Sequence, residues 1–263
     1  MKKITYLSLI LFLWIACKKE ENTPPDSTNS NNGIPPITDT SGTLTLKFEN
    51  YAGSTPLVLN SGEYLNQNGD TFKVSLFSYY ISNIQLIAAD SSVYTETESY
   101  HLVQSDLNSS LQFTLNKVAR RNYVALRFMI GVDSLRNVSG AQTGALDPAN
   151  GMFWSWNSGY IMTKIEGTSP QSGQASKLLK FHVGGFSGIN NSLKRVRLNF
   201  QNSATVTATI VPQVTLKADL LEWFTNPNLI DFSTLHTVHM PGASAKLVAD
   251  NYADMFSILS VQN

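Results

Sequence analysis

Thr43-Leu44-Thr45-Leu46-Lys47-Phe48-Glu49-Asn50 alternates cleanly, with Leu44, Leu46 and Phe48 on one side and Thr45, Lys47 and Glu49 on the other. A period of two sends successive side chains to opposite faces, so the octet reads as a strand with one buried face. The alternation recurs at Phe72-Val74-Leu76, Ile84-Leu86-Ala88, Leu111-Phe113-Leu115, Leu126-Phe128-Ile130, Val196-Leu198-Phe200, Val206-Ala208-Ile210 and Val214-Leu216-Ala218. Short strands with one apolar face each bury those faces most simply as two packed sheets. The expected fold class is therefore all-β, an antiparallel β-sandwich with one or two short helices. The helices are expected over residues 219–224 and 243–255; in the second, Leu247, Asn251, Tyr252 and Met255 recur at helical spacing and Ser244 is the expected N-cap. Asn68-Gly69 predicts a hairpin turn and Pro212 a break between two late strands.

Composition agrees with this reading and narrows the chemistry. Charged residues are 14% of the 263, against roughly 25% in ordinary soluble proteins. Exposed helix faces are normally written in Glu, Lys and Arg, so the depletion favours strands with Ser, Thr and Asn surfaces. Nineteen basic and 19 acidic residues leave no net charge, and a neutral surface lacks the cations that neutralise phosphates, so nucleic-acid binding is not expected. The single cysteine, Cys17, excludes a disulfide framework and any cysteine-cluster metal site.

Outward from the strands, residues 1–17 read as a leader: Lys2 and Lys3, an apolar run from Ile4 to Trp14 broken by Thr5 and Ser8, then Ile15-Ala16-Cys17. The run is shorter than the roughly 20 apolar residues of a spanning helix. A cysteine directly after a small residue at the end of such a run resembles a bacterial lipoprotein signal, in which Cys17 is lipidated and becomes the new N-terminus. Residues 18–42 hold four of the ten prolines and only Ile34 and Ile37 as aliphatic side chains, so they read as a flexible tether. Lys19-Glu20-Glu21 resembles the charged tag of outer-membrane lipoproteins that reach the outer face. The expected location is the outer membrane, facing the periplasm or the cell surface, with residues 43–263 as one domain.

Within that domain, residues 133–151 form the longest expected loop and lead into Met152-Phe153-Trp154-Ser155-Trp156-Asn157-Ser158-Gly159-Tyr160. Long loops in compact domains are usually functional or disordered. In extended conformation Trp154, Trp156, Ser158, Tyr160 and Met162 would share one face, either as core aromatics or as a sugar-stacking row. Leu179, Phe181 and Val183 alternate with Lys180 and His182, so His182 is expected away from the most apolar face, just before Gly184-Gly185. His101 sits in a similar setting, in Tyr100-His101-Leu102. His236 and His239, three apart beside Pro241, would diverge on a strand and make a weak zinc motif. Gly185-Phe186-Ser187-Gly188-Ile189 lacks the last glycine of a nucleophile elbow, and Gly184, Gly185 and Gly188 have neither the spacing nor the context of a dinucleotide fingerprint.

Taken together, these stretches resemble the MbnP-like lipoproteins, a family named for a copper-binding periplasmic protein encoded beside methanobactin genes. The resemblance rests on Leu44-Thr45-Leu46-Lys47-Phe48, Tyr79-Tyr80-Ile81-Ser82-Asn83-Ile84, Tyr100-His101-Leu102-Val103, Gly131-Val132-Asp133-Ser134, the double-tryptophan segment, Phe181-His182-Val183-Gly184-Gly185 and Ala249-Asp250-Asn251-Tyr252-Ala253-Asp254-Met255-Phe256. It implies an exported β-sandwich that binds copper through histidine and a tryptophan oxidised to kynurenine by a partner dihaem enzyme of the MauG or cytochrome c peroxidase type. Carried over residue by residue, the metal-site candidates are His182, Trp154 and Trp156, with His101 as an extra ligand. The chain departs from copper-binding relatives at Phe153, where they carry a histidine, and in lacking a cysteine after the paired glycines. The leading expectation is thus a non-catalytic, lipid-anchored copper protein. The competing ones are a surface module for carbohydrate or peptide, and a non-catalytic subunit of a dihaem peroxidase.

Overall fold

The Thr71–Ala88 strand is the axis of the molecule and shows how the alternation is used. In the computed structural model, which describes residues 40–155 and 158–263, its core-facing residues are Phe72 and Val74, then Phe77, Tyr79 and Ile81, then Ile84, Leu86 and Ala88. Twice the step is three instead of two. The first slip lies opposite Glu166 and Gly167; the second lies between Ser82 and Gln85, where Asn83 has a positive φ of 54°. A bulge inserts one residue and restores the buried face, so the strand runs on for 18 residues. Each large apolar side chain it buries fully contributes about 1.5–3 kcal/mol.

In chain order the strands are β1 (Ser41–Ala52), β2 (Thr55–Pro56), β3 (Tyr64–Leu65), β4 (Thr71–Ala88), β5 (Val93–Thr95), β6 (Tyr100–Gln104), β7 (Gln112–Ala119), β8 (Asn122–Ile130), β9 (Phe153–Ser155), β10 (Gly159–Thr168), β11 (Leu178–Gly184), β12 (Lys194–Thr205), β13 (Gln213–Asp219), β14 (Thr237–Val238) and β15 (Phe256–Gln262). The smaller sheet runs β15-β13-β1-β2, with β7 also on β1. The larger contains β12, β8, β4, β10, β11 and β14, with β3, β5 and β6 on β4 and β9 on β10. Ser78 and Tyr79 pair with β10 and with β6, while Ile81 and Ser82 pair with β8 and with β6. Strands β10 and β8 therefore lie end to end along one edge of β4, and β6 lies along the other. Between the sheets, Leu44, Leu46 and Phe48 of β1 and Val214 and Leu216 of β13 pack with the β4 row and with Phe181 and Val183 of β11.

The architecture is the all-β sandwich, built from mixed rather than purely antiparallel sheets: β1 runs parallel to β13, and β11 parallel to β14. Parallel partners need long connections, and both pairs join segments far apart in sequence. Asn68-Gly69 does form the β3–β4 hairpin, with Gly69 at a φ of 87°. The first expected helix is the 3₁₀ segment Leu220–Phe224, capped by the Asp219 carboxylate, which accepts from the Leu221 amide. The second, α2 (Ala243–Tyr252), starts two residues earlier than a Ser244 cap requires: Gly242 is the N-cap and makes no side-chain cap bond. The loop after β8 holds a further short helix, α1 (Ser134–Val138), capped by Asp133. Among the described residues no helix is long and apolar enough to cross a membrane. The leader, Cys17 and nearly all of the tether lie outside the described residues.

Candidate functional site

The outer face of the larger sheet carries a second, smaller core. Tyr80, Val132, Leu146, Met152, Tyr160, Ile161 and Met162 form it, with Tyr100, Leu102, Phe153 and Trp154 packed against its rim. Residues 131–152 cover it: the Tyr80 and Tyr160 hydroxyls donate to the Ala145 and Leu146 carbonyls at 2.9 and 2.8 Å. Buried Asn137 of α1 accepts from the Tyr160 amide at 2.8 Å. The loop is thus pinned over the aromatic segment, and near its end the Gly151 carbonyl accepts from the Lys164 ammonium at 3.3 Å.

The extended aromatic row expected from the sequence is replaced by a hairpin. Phe153 pairs with Tyr160 and Ser155 with Gly159, and the chain reverses because Gly159 takes a φ of 74° against Asn137. Tyr160 is fully buried, edge-on to Tyr80 and 4.8 Å from the Phe153 ring. Trp156 lies outside the described residues. Trp154 is half-buried with its six-membered ring on Gly184: a Cβ there would meet Trp154 Cζ3 at 2.4 Å. The absence of a side chain at Gly184 is what admits the indole.

Two residues before Gly184 on the same strand, and so on the same face, stands His182. It is 8% exposed and its Nε2 lies 2.7 Å from Glu166 Oε1. The register explains the pair: Lys164 is opposite His182, and Glu166 is two residues further along β10. Lys164 Nζ lies 3.6 Å from the same carboxylate oxygen. Burial pulls the imidazole pKa down to about 4, against the opposing pull of the Glu166 hydrogen bond. Burial also raises the Glu166 carboxyl, but the bond from His182 and the Lys164 charge outweigh it, so its pKa is lowered. At neutral pH the arrangement is a carboxylate accepting from a neutral imidazole.

His101 is elsewhere. It pairs with Ile81 on β6, three strands from β11 by way of β4 and β10, which at about 4.8 Å per strand is roughly 14 Å. Its ring stacks on Phe113 at 3.6 Å and binds Glu96 at 2.9 Å. The structure brings together His182 and the rim that holds Trp154, and leaves His101 out. His236 and His239 diverge as expected for a strand: His236 Nδ1 meets the Phe232 carbonyl at 3.0 Å, while the His239 ring faces His182 at 5.8 Å. Lys164, Glu166 and His239 were not identified as site residues from sequence. The polar pair flanking Ile165 was the available signal for the first two.

Fold and site define a two-sheet β-sandwich that carries a tryptophan-flanked histidine patch on the outer face of its larger sheet. A model of the MbnP family matches residues 41–240, and the chain belongs to that family. Among solved structures it is similar to MbnP from Methylosinus trichosporium, with a TM-score of 0.51 and 16% identity, over 78% of this chain and 83% of that one. At that identity the likeness concerns the fold. No curated protein matches the chain.

Proposed function

We propose that the chain is a lipid-anchored, non-catalytic copper-handling protein whose metal site is built on His182 and Trp154. The supporting observation is the Trp154 ring seated on Gly184, two residues along β11 from an imidazole held by Glu166. The donor set fits copper in chemistry, since imidazole suits either oxidation state. Among the described residues no three histidine, cysteine or acidic side chains form a ready cage, so a tryptophan-derived donor matters. An intact indole offers only its N–H as a donor and no lone pair. Oxidative cleavage of its C2–C3 bond with two molecules of hydrogen peroxide releases two waters and gives N-formylkynurenine. Hydrolysis then removes formate and leaves an aromatic amine and a ketone. A partner dihaem enzyme is the proposed catalyst, and residues 131–152 and the site's outer face its proposed docking side. Trp154 is half-buried against backbone, which makes it a poor open platform for stacking sugars. An outer-membrane location through lipidated Cys17 completes the reading.

Copper titration of the chain made alone, of the chain made with a dihaem partner, and of His182→Ala tests it. Uptake that depends on His182 and strengthens when the Trp154 peptide gains the kynurenine mass is the expected result. No uptake by any preparation, with a glycan bound through Trp154, would move the function to a carbohydrate-binding module. Replacing Cys17 with Ala should move the protein from the membrane fraction to the soluble one; unchanged fractionation would overturn the anchor.

A further inference from the structure

His239 follows the short strand β14, which runs parallel to β11 with Lys180 beside Thr237 and Phe181 beside Val238. One further step in that register sets His182 beside His239. The rings meet at 88° with centroids 5.8 Å apart. His239 is exposed, and no described residue is seen to hydrogen-bond its ring. A carboxylate only accepts, so the Glu166 contact places the proton of His182 on Nε2 and the lone pair on Nδ1. A metal-binding histidine typically has its second nitrogen held in this way by a carboxylate. Imidazole nitrogens bind ions such as zinc at about 2.0–2.1 Å, so two rings sharing one ion have centroids roughly 5–6.5 Å apart. The observed separation lies in that range.

We propose that His239 is the second imidazole ligand of the metal site, with His182 as the first and Glu166 as the residue that positions it. The inference rests on the copper reading above and adds the ligand that reading lacks. Lys164 sits 3.6 Å from the Glu166 carboxylate and Lys180 also acts on it and on His182, so the two imidazoles stand in surroundings with no excess negative charge. That favours monovalent copper over a hard divalent cation, which prefers carboxylate oxygens. His236, turned to the Phe232 carbonyl and packed near Gly173, takes no part and serves as the internal control.

The experiment titrates Cu(I), against a chromophoric chelator, into the full chain and its His239→Gln, His182→Gln, Glu166→Gln and His236→Gln variants. Histidine ring shifts and circular dichroism are followed in parallel. His239→Gln and His182→Gln should each weaken binding by more than ~100-fold, and Glu166→Gln by ~10-fold, as for outer-sphere partners. His236→Gln should change nothing. On metal addition the His182 and His239 ring signals should shift together. If the wild type binds copper in a His182-dependent way but His239→Gln stays within threefold, this proposal fails and the copper reading stands. If no preparation of the wild type takes up copper, both fail. Because His239 is exposed, its variant is expected to keep the wild-type fold, which the dichroism checks.

Discussion

His101 and His182 are both strand histidines bound by a glutamate on a neighbouring segment, with Nε2 to oxygen distances of 2.9 and 2.7 Å. Their surroundings part company beyond that bond. The ring of His101 lies flat on Phe113, 3.6 Å away and within 2° of parallel. That of His182 meets a second imidazole edge to face and shares its strand face with the glycine that seats Trp154. A stacked imidazole is held as part of the packing, whereas one facing another nitrogen base has the geometry that the proposed shared ion requires. The same local pairing thus serves structure on β6 and, in the reading proposed here, a binding site on β11.

The largest effect should come from removing what distinguishes the His182 side. In Gly184→Val the new Cβ lands 2.4 Å from Trp154 Cζ3 and 2.9 Å from the Tyr160 carbonyl. The carbonyl belongs to a paired strand, so the indole must leave. Overpacking of this kind costs about 1–3 kcal/mol, and we expect the upper end, a Tm lower by roughly 6–12 °C for a domain of this size. Indole fluorescence should shift to the red as the ring is released. An unchanged melting curve and emission would mean that Trp154 is not seated on Gly184.

The two histidines should next separate by pH. The folded-state pKa of His182 is about 4, below the ordinary value near 6.5 of an unfolded chain. Between these values the unfolded chain binds more protons, so stability rises with pH through that window. The contribution is fully present above about pH 6.5 and is lost as pH falls toward 4. Metal-free wild type should therefore lose stability from pH 6.5 down to 4 more steeply than His182→Gln, and ring shifts should show His182 neutral at pH 5.5. Parallel pH curves for wild type and variant would contradict a buried neutral His182.

Much of the fold was legible from alternation because each strand presents one apolar face to a single core. Legibility failed where parity shifts. β4 reads as separate pieces around Phe72-Val74 and Ile84-Leu86, since bulges opposite Glu166-Gly167 and around Asn83 twice advance the buried face by three. The aromatic segment was misread as one extended run because the reversal before Gly159 leaves no mark in a two-residue pattern. For the site, His182 was visible as the polar residue of an apolar strand. Glu166 needed the β10–β11 register, and His239 needed a parallel pairing two residues long, which no local pattern in residues 236–240 encodes.

The smallest effect should follow from cutting the bond that the two histidines have in common. In Glu96→Gln the partner of His101 keeps its shape and loses its charge. Polar contacts that retain some exposure, 21% and 13% for these side chains, contribute only about 0–1 kcal/mol even when charged. The Phe113 stack and the pairing of His101 with Ile81 remain to hold the ring. Glu96→Gln is therefore expected to lower stability by less than about 1 kcal/mol and to leave copper uptake unchanged, whereas Glu166→Gln puts a neutral amide in place of the carboxylate that His182 Nε2 meets and should weaken uptake. On the proposed reading the glutamate is a passive neighbour where the ring is stacked and an orienting one where it is not. Equal copper uptake by the two variants would erase that distinction, and a loss of copper in Glu96→Gln alone would place the metal at His101.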